Sequence, residues 1–224
     1  MAVLDKRTRD DPRRRATELA FLRATEALLD EGASFADLNV SRIAERAGRT
    51  RTAFYTHFED RRELLLALVE EAGGEGLAAI TPFLAADGRD EHDELTASIQ
   101  GLLATFREHA SLVRAVIEAA GYDDAVAAYW DGIVGRFVDA AREWLRAAGL
   151  DQDEAAATAT ALVWMTERTC YQQVVRGTTG LDDQAAVVAI SEVWWSVLRP
   201  TRAGRVGRRD EASMPSPLPA EPRS

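Results

Sequence analysis

The residues with the most chemistry to offer run from Thr50 to Tyr55, where the sequence reads T-R-T-A-F-Y. Arg51 carries a planar cation able to bridge both acceptors on a guanine edge, whereas the hydroxyls of Thr50, Thr52 and Tyr55 bond with less selectivity. Phe54 and Phe58 stand four residues apart. On a helix they share an inward face and leave Arg51, Thr52, Tyr55 and Thr56 on the outer one. That division suits duplex DNA, with Arg51 and Thr52 at base edges and Thr50 and Tyr55 at phosphates. The same residues would also serve as the solvent face of an ordinary helical hairpin, so the elements that hold them decide.

Those elements are legible on both sides. Asn39 caps a short helix over 40–47 whose Ile43, Ala44 and Ala47 face inward. Gly48 permits the turn, and Thr50 caps a second helix over 51–57. Two brief helices across so short a connection predict a helix-turn-helix, whose exposed second helix fits a major groove. A preceding helix near 17–31 carries Phe21, Ala24 and Leu28, and Phe35 with Leu38 returns to it, giving a three-helix miniature core. Asp60 and Glu63 form a capping box for the next helix. Arg61 at its start is placed to touch phosphate, and Arg62 is equally a surface ion-pair partner. Arg13, Arg14 and Arg15 lie just before the head, where a basic arm over 1–16 would meet a groove or phosphate, or simply be solvated. His57, beside Phe58, suits packing better than catalysis.

The whole chain has 224 residues and a net charge of -10, with 46% hydrophobic content, enough for a substantial core. The charge is uneven: residues 1–62 hold 13 Lys+Arg against 11 Asp+Glu, and the remainder holds 14 against 26. A near-neutral head on an acidic body is compatible with local DNA contact. One cysteine, Cys170, excludes an intrachain disulfide, and His57, His92 and His109 are too scattered for a zinc pattern. No metal, cofactor or catalytic residue is expected. The chain shows no apolar leader and no membrane-length apolar run, so a cytoplasmic protein is expected.

From Thr17 to Leu198 apolar residues recur at helical spacing, predicting further helices near 61–79, 92–109, 111–119, 123–148, 152–176 and 182–198. The fold class is therefore all-α: a three-helix DNA-binding head over 17–60 and a roughly six-helix body over 61–199. From Pro200 five of the 7 prolines cluster, and residues 200–224 read as a flexible tail. In the body, Trp130, Val134, Phe137, Ala141, Trp144 and Leu145 form one stripe, and Leu95, Ile99, Leu102 and Phe106 another. Such facing stripes either enclose an elongated apolar cavity or pack as solid core. Thr166 and Tyr171 would supply hydrogen bonds at a pocket rim, with Glu167 and Arg168 available for ion pairing.

The stretch NVSRIAERAGRTRTAFYTHFEDRRELLLALV resembles the DNA-binding motif of the tetracycline-repressor family of transcription regulators, over residues 15–70. The resemblance implies that Thr50, Arg51, Thr52 and Tyr55 belong to or flank the recognition surface, and that Arg61 is the usual basic start of the connecting helix. Arg49 replaces the small apolar residue common after the turn glycine. The stretch WMTERTCYQQVVRGTTGLDDQAAVVAISEVWWSVL is similar to the C-terminal part of the subgroup of mycobacterial repressors controlling ethionamide activation. That likeness implies a hydrophobic effector site walled by Trp130, Phe137, Thr166, Tyr171 and Trp194, with Leu95, Leu102 and Phe106 as neighbours. It also implies a homodimer on a near-palindromic double-stranded DNA operator. The last two helices hold Val187, Val188, Ile190, Val193, Trp194 and Trp195, which the sequence does not divide between monomer core and dimer contact. An all-helical ligand-binding or adaptor protein without DNA binding is the competing class, and an enzyme a weaker one. Neither Glu167 beside Arg168 nor His109 beside Glu108 forms a recurring catalytic constellation.

Overall fold

The computed structural model describes residues 12–84 and 91–212, the side chains of 91 and 198–212 excepted. Among these residues every regular element is helical. The head comprises α1 (Pro12–Asp30), α2 (Val40–Arg46) and α3 (Arg51–His57). The body comprises α4 (Arg61–Leu84), α5 (Glu91–Glu108), α6 (Ala110–Ala120), α7 (Asp124–Ala148), α8 (Gln152–Tyr171) and α9 (Asp183–Ala212).

The starts of the short helices follow the capping residues. Asn39 Oδ1 accepts from Arg42 N at 3.0 Å, and Thr50 Oγ1 accepts from Ala53 N at 3.0 Å. Each satisfies a backbone donor that the first turn leaves open. Gly48 sits between them at φ +63°, the left-handed region that side chains disfavour. Asp60 Oδ1 accepts from Glu63 N at 2.9 Å, and Glu63 reaches back to Glu59 N at 2.6 Å, one residue before the position a strict capping box would use.

Two expectations for the chain ends are corrected. Residues 12–16 belong to α1 rather than to a flexible arm: Pro12 is pre-set for a first helical position, and Arg14 Nε pairs with Glu18 one turn on, at 2.9 Å. Residues 1–11 lie outside the described residues. At the other end α9 continues through Pro200 to Ala212, so the tail expected from 200 is helical over its first half. A proline removes one backbone bond, but the Arg and Ala residues that follow keep helix propensity. Pro215, Pro217, Pro219 and Pro222 lie outside the described residues. Similarly, α4 runs past the expected end at 79 and includes Pro82.

Burial sorts the apolar residues into two clusters. The first joins Phe21, Leu28, Phe35, Leu38, Ile43, Phe54 and Phe58 of the head to Leu64, Leu65, Leu68 and Val69 of α4, Leu112 and Val116 of α6, and Val126 and Ile133 of α7. Its aromatic centre is Phe21, edge-on to Phe54 at 5.3 Å and to Phe58 at 6.2 Å. The second joins Phe83, Leu95, Ile99, Val134, Ala141, Leu145, Leu162, Val163, Val187, Ile190 and Trp194 in the distal body. Residue 60, the expected head boundary, therefore falls inside one continuous core rather than between two. Only α4 and α7 contribute buried side chains to both clusters, and Trp130 and Phe137 of α7 pack against each.

Candidate nucleic-acid interface and internal cavity

Helix α3 presents the surface that its sequence foretells. Phe54 is fully buried, while Thr50, Arg51, Thr52 and Tyr55 are exposed, Tyr55 with 51% of its surface accessible. Arg51 is steered by its neighbours: Nη1 donates to Ser41 Oγ at 3.3 Å, Nη2 to Tyr55 Oη at 3.4 Å, and the guanidinium lies 6.0 Å from the Tyr55 ring centre. These bonds are long and exposed, so they orient the cation without withdrawing it from an outside acceptor. The hydroxyl of Thr50 accepts a backbone bond as cap, which leaves its proton to donate outward. A shallow depression lined by Asn39, Val40, Ser41, Arg51, Tyr55, Asp60 and Arg61 separates α2 from α3. Arg49 and Arg15 are exposed, Arg49 donating to the Gly48 carbonyl at 3.2 Å and Arg15 lying on the first turn of α1.

Arg61 is placed differently from expectation. Its Nη1 donates to the carbonyls of Phe35 (3.1 Å), Ala36 (2.9 Å) and Leu38, and its guanidinium sits 5.5 Å from the Phe35 ring centre. A side chain so engaged pins the start of α4 to the head's own turn. Arg62 beside it holds Asp123, the N-cap of α7, at 2.7 Å, the ion-pair alternative for that residue. His57 Nδ1 meets Glu18 at 3.2 Å, a packing and ion-pair role that ties α3 back to α1.

The body's two stripes enclose a cavity of about 1030 Å³, counting the solvent at its mouth. Leu95, Leu102, Phe106, Trp130, Phe137, Thr166 and Trp194 all line it. Tyr171 does not: it is buried elsewhere, with the Arg168 guanidinium 5.2 Å from its ring centre. Trp194 Nε1 donates to Thr166 Oγ1 at 2.9 Å, fastening α9 to α8 across one wall. Gly73 and Gly76 of α4 also line the space, and a Cβ at Gly76 would stand 3.2 Å from Phe137 Cζ and 3.4 Å from Leu102 Cδ1. Two glycines three apart inside a helix, each costly relative to Ala, are the signal by which the sequence marks this wall. The lining draws Val69, Leu112 and Ile133 from the first core and Phe83, Leu95 and Val163 from the second.

Two ionisable lining residues were not selected for the site from sequence. His109, at the corner between α5 and α6, has its ring between Glu26 of α1 at 3.4 Å and Glu75 of α4 at 2.9 Å. The hydrogen bond to Glu26, aided by Glu75 and opposed by burial, lifts its pKa to about 9. Glu75, Glu108 and His109 gather within 4.8 Å of one another. In this structure the His109 ring is engaged by Glu26 and Glu75, so the group is held as a hydrogen-bonded cluster that joins α1, α4 and the α5–α6 corner. Glu167 is 6% exposed, and burial raises its pKa. The same burial, with Glu167 nearby, pushes the Cys170 thiol up to about 12, which makes it an inert packing group.

The head and the body each match a known family. Residues 21–68 match the bacterial regulatory proteins of the tetR family, and residues 95–198 match the C-terminal domain of transcriptional regulator EthR. Over 182 residues the chain is 24% identical to the HTH-type transcriptional regulator EthR of Mycolicibacterium smegmatis, covering 79% of this chain and 83% of that one. It is 25% identical over 185 residues to EthR of Mycobacterium tuberculosis H37Rv, covering 79% and 84%. In fold it is similar to a TetR-like transcriptional regulator from Rhodococcus sp. RHA1, at TM-score 0.61 and 19% identity over 82% of this chain and 96% of that one.

Proposed function

We propose that this chain is a TetR-family helix-turn-helix transcriptional regulator with an EthR-type ligand-binding C-terminal domain, and that it is a repressor released from its operator by a small apolar effector. The matches of its head and body to those two families support this reading. In this reading Arg51 and Thr52 approach base edges, while Thr50, Tyr55, Arg49 and Arg15 meet phosphates. Arg61 keeps the turn in place and positions the head from behind. A homodimer sets two heads about 34 to 36 Å apart on a near-palindromic operator. Its contact surface is supported by Trp164 of α8 and Val188 and Val193 of α9, which stay exposed while Val187, Ile190 and Trp194 turn inward.

The observation that carries the sensing half is the cavity's position between the two cores. An effector entering there pushes α4 and α7 apart from α6, and the helix that moves is the one Arg61 fastens to the head. If the ligand favours the arrangement that reads DNA less well, linkage weakens operator binding by the same coupling, typically about 1 to 3 kcal/mol. The protein acts in the cytoplasm, where DNA is, and no cofactor or catalytic step is assigned to it. No helix among the described residues is long and apolar enough to cross a membrane.

The test is unbiased selection of duplex fragments by the purified full-length protein, followed by titration of apolar compounds against the recovered site. A recurring near-palindrome that one compound class releases is the expected result. Recovery of random fragments would reject sequence-specific regulation and favour an adaptor.

A further inference from the structure

The cavity wall is apolar except at a few positions, and most of those have partners. The Thr166 hydroxyl donates to the Leu162 carbonyl at 2.8 Å and accepts from Trp194. Thr105 donates to the Gly101 carbonyl at 3.1 Å, and His109 lies between Glu26 and Glu75. Glu167 is the exception: it lines the cavity, is more than nine-tenths buried, and neither carboxyl oxygen has a hydrogen-bond partner. The cation beside it in sequence, Arg168, holds Nε 3.9 Å from Oε2, beyond hydrogen-bonding reach, with its guanidinium drawn over Tyr171. A buried carboxyl without donors is a standing cost to the fold.

We propose that Glu167 is the recognition group for a basic nitrogen, so that the effector is an apolar molecule carrying a protonated amine. The proposal rests on the reading that this cavity is where the effector binds. Burial favours the protonated acid while the cavity is empty. An ammonium brings three donors and a positive charge within hydrogen-bonding reach, which draws the group to its carboxylate form with up to four acceptor sites, whereas an alcohol brings one donor and no charge. In a wall with so little polar competition the charge difference is felt strongly. A ligand carboxylate would face repulsion from the same oxygens.

The headgroup series decylamine, decanol and decanoate tests this by calorimetry on the full-length protein at neutral pH. The three share one chain and differ only at the tip. Decylamine is expected to bind roughly ten-fold tighter than decanol, with decanoate weakest. In Glu167→Gln the preference for the amine is expected to vanish while decanol affinity stays within about threefold. Equal affinity for decylamine and decanol in the wild type would overturn the amine assignment and leave the apolar cavity standing as the effector site. Failure of all three to bind would overturn both.

Discussion

Arg51 shows how little of a reading surface is fixed by one side chain. It is exposed and held only by long bonds to Ser41 and Tyr55, which leave its guanidinium open to an outside acceptor. Removing it as Arg51→Ala is expected to weaken operator binding by about 1 to 3 kcal/mol, roughly ten- to hundred-fold, with dimerisation unchanged. Tyr55→Phe removes a phosphate partner and the anchor of Arg51 together, and a smaller loss is expected. Titration of DNA at fixed salt, with sedimentation to confirm the assembly, measures both; unchanged affinity in both variants would refute the assigned contacts. At the cavity, Thr166→Trp would fill space and break the bond from Trp194, and effector binding measured by calorimetry is expected to disappear. The family resemblance implies Thr166, Trp194 and Tyr171 as wall residues, and the cavity is lined by the first two but not by Tyr171, because a likeness in sequence does not reveal which neighbouring helix covers each turn. Glu167 was passed over because nothing in its sequence neighbourhood says that donors will be missing.

Helix starts were readable where the sequence offers a cap: Asn39, Thr50 and Asp60 each accept a first-turn backbone N–H, and α2, α3 and α4 begin just after them. The structure adds Asp123 and Asp151 as the caps of α7 and α8. Pro200 was the misleading signal: α9 passes through it, as α4 passes through Pro82, because one lost bond in a long helix is outweighed by the turns around it. Arg61 looked like a phosphate contact from its place at a helix start, but its guanidinium is engaged by the neutral carbonyl acceptors of Phe35, Ala36 and Leu38, which come from a turn 23 to 26 residues back in the chain. Gly48 offers a clean measure of what the turn itself requires. A methyl there meets nothing within 4 Å, so Gly48→Ala costs only the left-handed backbone, about 1 to 2 kcal/mol. A melting temperature lowered by several degrees is expected. An unchanged value in thermal unfolding would mean that the turn can adopt another conformation.

Across the molecule, the head is held to the body by charge as well as by the shared core. His109 joins Glu26 of α1 and Glu75 of α4, with Glu108 alongside, and its folded pKa of about 9 lies above the ordinary 6.5. A raised folded pKa means that the stabilisation is complete below about pH 6.5 and is lost as pH rises through about 9. The wild type is therefore expected to lose melting temperature over that interval more steeply than His109→Gln. Parallel slopes in a pH series of thermal melts would remove His109 from the joint. The helix count was legible from periodicity. The merging of the head's core with α4 and α6 was not legible, because it brings residues some ninety positions apart, such as Phe21 and Leu112, into one cluster.

The space between the two cores also affects how long the protein survives. Helices that border a void forgo contacts with one another, so an empty copy opens more readily and offers more cleavable backbone to proteases. Occupancy supplies the missing neighbours and adds stability that grows with the logarithm of ligand concentration. Filled copies should outlast empty ones in the cell, so the regulator's own abundance would rise and fall with the supply of the compound it senses.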